Sequence, residues 1–476
     1  MTPTAESPAE PTRWAVVGGG VLGLRLAQRL AAAGQRVTVF EAAPQIGGLA
    51  SEWTLETDCG QPITWDKHYH VTLLSDLRLR ELLGDLGLTD DLRWVETKTG
   101  FYTDGRLHSM SNSIEFLRFP PLGLIDKLRL AATIFYGSKI TDPKPLEQVL
   151  VGDWLRKWSG RRTFEKIWEP LLLAKLGDAY RRTSAAFIWA TIARMYRARQ
   201  SGMKKELFGY VSGGYARVLG RYAERLAQAG VELVTGSSVH GVQASVVTPG
   251  VTVEVLTDSG TRSFDRVVLT TPSDVVDRLC PGLGADQRQR HQAIEYLGVV
   301  CASVVLDEPI SSYYVTNITD RGAPFTAVIE MTAMVDPAEL GGRRLVYLPR
   351  YASPDDPIWR RSDAQIEADF LSALDRMYPD FDRGRVRAFR VSRAPRVMAL
   401  PTLGYSDRLP PMQTDQQGVF AVNSTQITRG TLNVNETLEL ADDAFDRVLS
   451  AELQNELPPG PTPATTLDPT PEPAAC

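Results

Sequence analysis

The stretch RWAVVGGGVLGLRLAQRLAAAGQRVTVFE, from Arg13 to Glu41, constrains the fold more than any other part of the chain. Trp14 to Val17 reads as a short apolar strand. Leu22, Leu26 and Leu30 then recur every four residues on one helix face, and Ala27 and Ala31 let that helix lie close to a sheet. Gly34 ends the helix, and Arg36 to Glu41 reads as a second, parallel strand. Gly18, Gly20 and Gly23 form G-x-G-x-x-G at the strand-to-helix junction. The first glycine permits the tight turn, the second lets a pyrophosphate approach the backbone, and the third allows close helix packing. The helix N-terminus, with the N–H groups of Val21 and Leu22, faces the phosphates. Glu41 lies 23 residues after Gly18, where a carboxylate can accept both hydroxyls of an adenosine ribose and disfavours a 2′-phosphate. This unit predicts a site for the ADP half of a dinucleotide.

A chain of 476 residues suits two or three domains. No run approaches the ~20 apolar residues that span a bilayer. The start, MTPTAESPAEPT, has neither a basic nor an apolar stretch, which predicts a cytoplasmic protein. Net charge is -5, giving no global reason to expect nucleic acid. The four cysteines (Cys59, Cys280, Cys301, Cys476) have no metal-ligand spacing, so no metal is expected. Residues 1–12 and the tail 457–476 are Pro/Thr/Ala-rich and are expected to be flexible. Between them, the helix Tyr215 to Ala229, the strand Val231 to Thr235 and alternating strands turning at Thr257 to Gly260 continue the α/β pattern. A final strand, polar loop and helix follow from Gly418. This predicts one domain assembled from 13–74, 209–295 and 394–456, and a second from 75–208 and 296–393. The first part of the second domain reads as helical, the second part as strand-rich.

Gly47 and Gly48 follow Glu41 as E-x5-G-G. This pattern, with SGGYARVLGRYAERL, DRVVLTTP and NVNETLELADDA in that order, resembles the superfamily of amine oxidases, protoporphyrinogen oxidases, phytoene desaturases and UDP-galactopyranose mutases. The resemblance implies FAD as cofactor. It also implies an α/β fold: a discontinuous Rossmann-like FAD-binding domain with a β-meander, plus a mixed α+β substrate domain. It extends the cofactor cradle to Ala42, Leu49, Val239 at the adenine and Thr271. The segment Thr431 to Asn435, with Leu432, Asn433 and Val434, would offer backbone N–H groups to the flavin edge. Where relatives carry Gly-Asp, this chain has Val422-Asn423, so Asn423 would bond the ribityl or phosphate region without a charge.

The segment WDKHYH places His68 and His70 where relatives approach the flavin ring, and its Asp66-x-x-x-His70 spacing resembles the mutase and protoporphyrinogen oxidase branch. Either histidine could contact flavin or move a substrate proton; the alternative is a satisfied structural histidine. Lys175-Leu176-Gly177 resembles a Lys-Trp-Gly block. Residues Val151 to Lys205 carry thirteen Lys or Arg against four Asp or Glu. Arg181, Arg182 and Arg194 there could clamp an anionic substrate, form a solvated face, or, with the apolar residues of FLRFPPLGLIDKLRLAATIFYG, dock the chain peripherally on the inner face of a membrane. Arg350, expected on the same strand face as Arg344, is a further candidate for substrate binding.

The resulting expectation is an FAD-dependent oxidoreductase that moves hydride or electrons from an organic substrate, anionic or isoprenoid, to flavin. A non-redox mutase acting on an anionic sugar and a flavin-holding protein without turnover remain as alternatives. Oligomeric state is open, a homodimer included.

Overall fold

The computed structural model describes residues 11–57, 62–199, 207–247 and 250–455. Nearly all of the two ends expected to be flexible, together with Cys59 and Cys476, lies outside those residues.

The strand β1 (Arg13–Val17), helix α1 (Val21–Ala32) and strand β2 (Arg36–Phe40) form the βαβ unit. β1 pairs in parallel with β2 on one side and with the strand Arg266–Leu269 on the other. Glu232–Val234 and Val419–Ala421 complete a five-stranded parallel sheet at its two edges. Alternation along β1 divides its side chains between two layers. Trp14 and Val16 enter a core shared with α1 and the helices Gly214–Gln228 and Val434–Ala444. Ala15 and Val17 enter a second core under the antiparallel meander Val239–Val247, Gly250–Thr257 and Gly260–Phe264. Both faces of the sheet are therefore covered, as a parallel sheet requires.

α1 and the Val434–Ala444 helix are joined by charge as well as by leucines. Asp442 accepts a bidentate pair from Arg25 (2.8 and 3.0 Å) and a third hydrogen bond from Arg29 (2.8 Å).

A second, seven-stranded sheet is built around Tyr296–Leu306, whose residues are all buried. The region 75–208 is not wholly helical: it also supplies the strands Leu92–Glu96, Thr99–Thr103 and Arg106–Ser109, the last two at the edge of this sheet. Their hairpin turns at Asp104 and Gly105, with φ of 51° and 71°, an Asp-Gly turn between alternating residues. Beyond it the chain is helical, with Leu124–Lys139, Val151–Ser159, Glu169–Leu176 and Ala186–Arg199 surrounding Leu155, Phe164, Tyr180 and Trp189. Among the described residues no helix is long and apolar enough to cross a membrane.

Candidate functional site

The glycine turn is set by close approach. Gly18 has φ of +114°, and a Cβ on Gly23 would stand 2.0 Å from the Gly18 carbonyl oxygen. Around Gly20, by contrast, a Cβ would meet nothing within 4 Å. Gly20 caps α1 without a side-chain hydrogen bond, no acid lies in the first turn, and the first intrahelical bond runs from Leu24 N–H to Gly20 O (3.0 Å). The preceding N–H groups, including those of Val21 and Leu22, thus point past a residue that leaves its space open, as an anion cradle requires.

Gly47 N–H donates to Gly19 O at 2.8 Å, stapling the second glycine pair against the first turn. Gly47 and Gly48 have φ of +112° and +58°, and a Cβ on Gly47 would come within 2.4 Å of Leu219 Cδ1. Both residues must be glycine for the two turns to nest. Leu49 follows on the exposed side of that turn.

Glu41 sits at the end of β2 as expected, but its two oxygens already accept Gly19 N–H (2.7 Å) and Ala43 N–H (2.8 Å). A carboxylate has about four lone-pair sites, so capacity for ribose hydroxyls remains. Ala42 is exposed beside it, and Val239 begins the first meander strand. Thr271 lies just past the strand that pairs with β1, and its buried hydroxyl has no partner among the described residues. The open space at Gly20 and this orphaned hydroxyl both suit FAD.

At the other end, Asn433 caps the Val434–Ala444 helix by accepting Glu436 N–H at 3.1 Å, and its amide donates to Thr431 O. That leaves the N–H groups of Val434 and Asn435 at the helix start, with Leu432 beside them. Asn423 departs from expectation. Its oxygen accepts from Thr425 N–H and Thr425 Oγ1 (3.1 and 2.6 Å) and its amide reaches Ser273 Oγ at 3.5 Å. Being 2% exposed, it shapes the turn Ser424–Gln426 rather than offering a free amide.

Asp66 organises the chemical end. Its Oδ1 accepts Tyr215 N–H at 2.7 Å, at the start of Gly214–Gln228. Gly213 and Gly214 have φ of +83° and +63°, and a Cβ on Gly214 would lie 2.8 Å from that oxygen. The SGGY motif is therefore the shape of a helix start that receives a carboxylate. Asp66 Oδ2 lies 3.6 Å from His70 Nδ1, and the His70 ring packs on Tyr215 at 4.8 Å between centroids. His70 lines a narrow crevice with Trp65, Val71, Tyr210, Tyr215 and Met331. Its Nδ1 has no hydrogen bond.

His68 has a different environment. Nδ1 lies 3.2 Å from Leu49 O and Nε2 3.1 Å from Ser392 Oγ, so both ring nitrogens are engaged. Burial, and then the neighbouring His70, pull its pKa down to about 4. The ring is neutral at pH 7 and ties the Gly47-Gly48 turn to the strand Val386–Ala399.

Lys175 places its ammonium 3.4 Å above the centre of the Tyr351 ring. Tyr351 OH lies 3.2 Å from Tyr69 OH, and Tyr69 stands 6.3 Å from Tyr347. Burial, then Tyr351, raises the Tyr69 pKa well above the ordinary phenol value.

The expected arginine clamp is not assembled. Arg182 is paired with Glu295, and Arg181 is exposed 3.7 Å from Asp178. Arg194 alone turns inward, where it meets Asp76 at 3.2 Å. Arg350 is paired with Asp356 at 2.9 Å. It stands opposite Val300, on the face that carries Val346 and Leu348, whereas Tyr351 stands opposite Val299 on the face of Tyr69 and Tyr347. Arg350 is therefore separated from His70 and Lys175 by the sheet itself. Asp76, Asp356 and Ser392 give no local sequence signal of these pairings. Among the described residues no group of three His, Cys, Asp or Glu could hold a metal.

A dinucleotide turn nested on a second glycine pair, a second open helix start and a histidine-lined crevice are the parts of an FAD-dependent oxidoreductase. Residues 23–431 match the flavin containing amine oxidoreductase family, and the chain belongs to it. It is 26% identical over 430 residues to the carotenoid phi-ring synthase of Streptomyces griseus, covering 85% of this chain and 80% of that protein. It is 26% identical over 167 residues to protoporphyrinogen oxidase 2 of Arabidopsis thaliana, covering 34% and 32%. It shares the fold of reduced UDP-galactopyranose mutase with a TM-score of 0.69 at 14% identity, over 92% of this chain and 94% of that one.

Proposed function

We propose that this flavoenzyme dehydrogenates an apolar isoprenoid of the polyene type, delivered from a membrane surface. The carrying observation is that the arginines expected to hold an anion pair with acids of this chain, Arg182 with Glu295, Arg350 with Asp356, and Arg194, whose buried Nε alone is without a partner, with Asp76. The crevice that His70 lines is mostly aromatic and apolar, with Trp65, Val71, Tyr210, Tyr215 and Met331, and the neighbouring core cluster holds Tyr69, Tyr347 and Tyr351. No lysine or arginine lines that crevice, and a buried carboxylate or phosphate without a cation is strongly disfavoured. An amine is disfavoured as well, because the ammonium of Lys175 already covers the Tyr351 ring. The name of the Streptomyces griseus relative points to the same substrate class.

In this reading residues 13–74, 209–295 and 394–456 hold FAD, and 75–208 and 296–393 enclose the substrate. Dehydrogenation removes a hydride and a proton from neighbouring carbons, and bound FAD supplies the hydride acceptor. His70, whose buried Nδ1 faces Asp66 at 3.6 Å, is the candidate proton acceptor. His68 acts as a positioning residue for the glycine pair, and Lys175 covers the Tyr351 face of the neighbouring aromatic cluster.

The test is anaerobic mixing of the FAD-loaded protein with a hydrocarbon polyene precursor, a reduced porphyrin or a nucleotide sugar, each followed by flavin absorbance. Bleaching by the polyene is expected. Bleaching by the porphyrin alone would overturn the reading.

A further inference from the structure

Two helices of the substrate side expose an apolar face that nothing in the described chain covers. Ile114 and Leu117 on Ser113–Arg118, and Leu124, Ile125, Leu128 and Phe135 on Leu124–Lys139, are each between 55% and 75% exposed. The four on the longer helix fall at helical spacing on one side. Its opposite side buries Leu130, Thr133 and Gly137, and Lys127 folds back to donate to Leu117 O at 2.7 Å. Tyr136 and Trp158 extend the patch, stacked at 4.1 Å.

The charges on this face have one sign. The exposed residues of the two helices include Arg118, Arg129 and Lys139 and no acid. Their two acids are half-buried, and both accept hydrogen bonds from their own neighbourhood. Glu115 accepts from Ser109 Oγ and Ser111 N–H (2.5 and 2.8 Å), while Asp126 accepts Gly123 N–H at 3.3 Å. Sixteen residues give about 24 Å of helix, carrying charge, so it can lie in an interface but cannot span a bilayer.

We infer that this face is a docking surface for an anionic lipid bilayer, with Ile125 and Leu128 inserted among the acyl chains and Arg118 and Lys139 at the headgroups. Apolar residues flanked by cations are what such a surface binds. A second copy of the chain fits less well, since a two-fold contact would bring these cations onto their own copies. The face also lies one helix from the aromatic cluster of Tyr69 and Tyr351. A Cβ on Gly137 would meet Ile192 Cγ2 at 3.3 Å, and Met195, one turn along the same Ala186–Arg199 helix, packs against the cluster holding Tyr69 and Tyr351. The inference rests on the apolar-substrate reading for its purpose, but its geometry is independent of that reading.

The test is flotation of the FAD-loaded full chain with vesicles of phosphatidylcholine alone or with about one third phosphatidylglycerol. The wild type should float with the anionic vesicles, and high salt should weaken this. The Ile125→Glu/Leu128→Glu double variant should bind at least about tenfold less, with unchanged flavin absorbance as evidence of its fold. Wild type that stays in solution, equal flotation of the double variant, or a dimer dissolved by the same double variant would each overturn the inference. No substrate is present, so failure of polyene oxidation and failure of docking are read separately.

Discussion

Gly20 and Gly23 make opposite predictions from the same motif. Gly20 has φ of -71° and ψ of 170°, a conformation open to any residue, and its Cβ would enter open space. Gly20→Ala should therefore leave apoprotein stability within about 0.5 kcal/mol of wild type. The added methyl takes the space through which a pyrophosphate approaches the free N–H groups of α1. Each hydrogen bond to a charged group that is lost or stretched removes about 1.5–3 kcal/mol. Losing one or two of them lowers FAD affinity by at least about tenfold. Gly23→Ala differs because its Cβ would sit 2.0 Å from a backbone carbonyl that cannot rotate away. α1 must retreat, so this variant should lose stability and FAD binding together, by roughly 2–4 kcal/mol of unfolding free energy. The assay is thermal unfolding of the apoproteins alongside FAD titration followed by fluorescence quenching. A Gly20→Ala variant that binds FAD like wild type would refute the assignment of this space to the cofactor. One that unfolds like Gly23→Ala would refute the claim that the space is empty of protein.

The other expectations concern single charges. Asp442→Asn leaves Arg25 and Arg29 facing a neutral group at the junction of α1 and Val434–Ala444, and should cost about 3 kcal/mol in a urea titration and weaken FAD binding as well. Burial, then repulsion from Glu439, raises the pKa of Glu436 to about 7. The fold thus holds a proton that the unfolded chain releases, and apoprotein stability should fall as pH rises from about 4.5 to 7. After allowance for its partial exposure the loss is on the order of 2 kcal/mol, and Glu436→Gln should raise Tm at pH 8 but not at pH 4. His70→Asn should slow single-turnover flavin bleaching by about 100-fold or more while FAD affinity is kept; equal rates would remove it from the chemistry.

The parts of the fold legible in the sequence are those whose cause is local. The turn at Gly18, the E-x5-G-G pair and the SGGY helix start each need a backbone conformation or an approach that only glycine permits, so the residue types announce the geometry. Even the 28-residue step from Gly19 to Gly47 is readable, because both turns are marked independently. The hairpin at Asp104-Gly105 carried the same kind of signal, but lay in a region whose tryptophans and leucines suggested helix. Glu41 shows the limit of such reading: its position follows from the motif, its present hydrogen bonds to Gly19 and Ala43 do not.

Side-chain partners chosen across the fold left no such mark. His68 reaches Ser392 across 324 positions and Tyr69 reaches Tyr351 across 282. The arginine-rich stretch is the clearest case. Counted within itself it is strongly basic, which suggested an anion clamp. Yet Arg182 and Arg194 find their acids at Glu295 and Asp76, outside the counted window. Local charge excess therefore overstates the cations available to a ligand whenever the fold brings distant acids alongside. Apolar residues obey the reverse logic: a leucine that no distant segment covers stays exposed, and in water that exposure is costly unless another surface removes it. The face of Ile125 and Leu128 is informative for that reason, because the fold has engaged the nearby half-buried acids Glu115 and Asp126 in hydrogen bonds while leaving the leucines and cations outside.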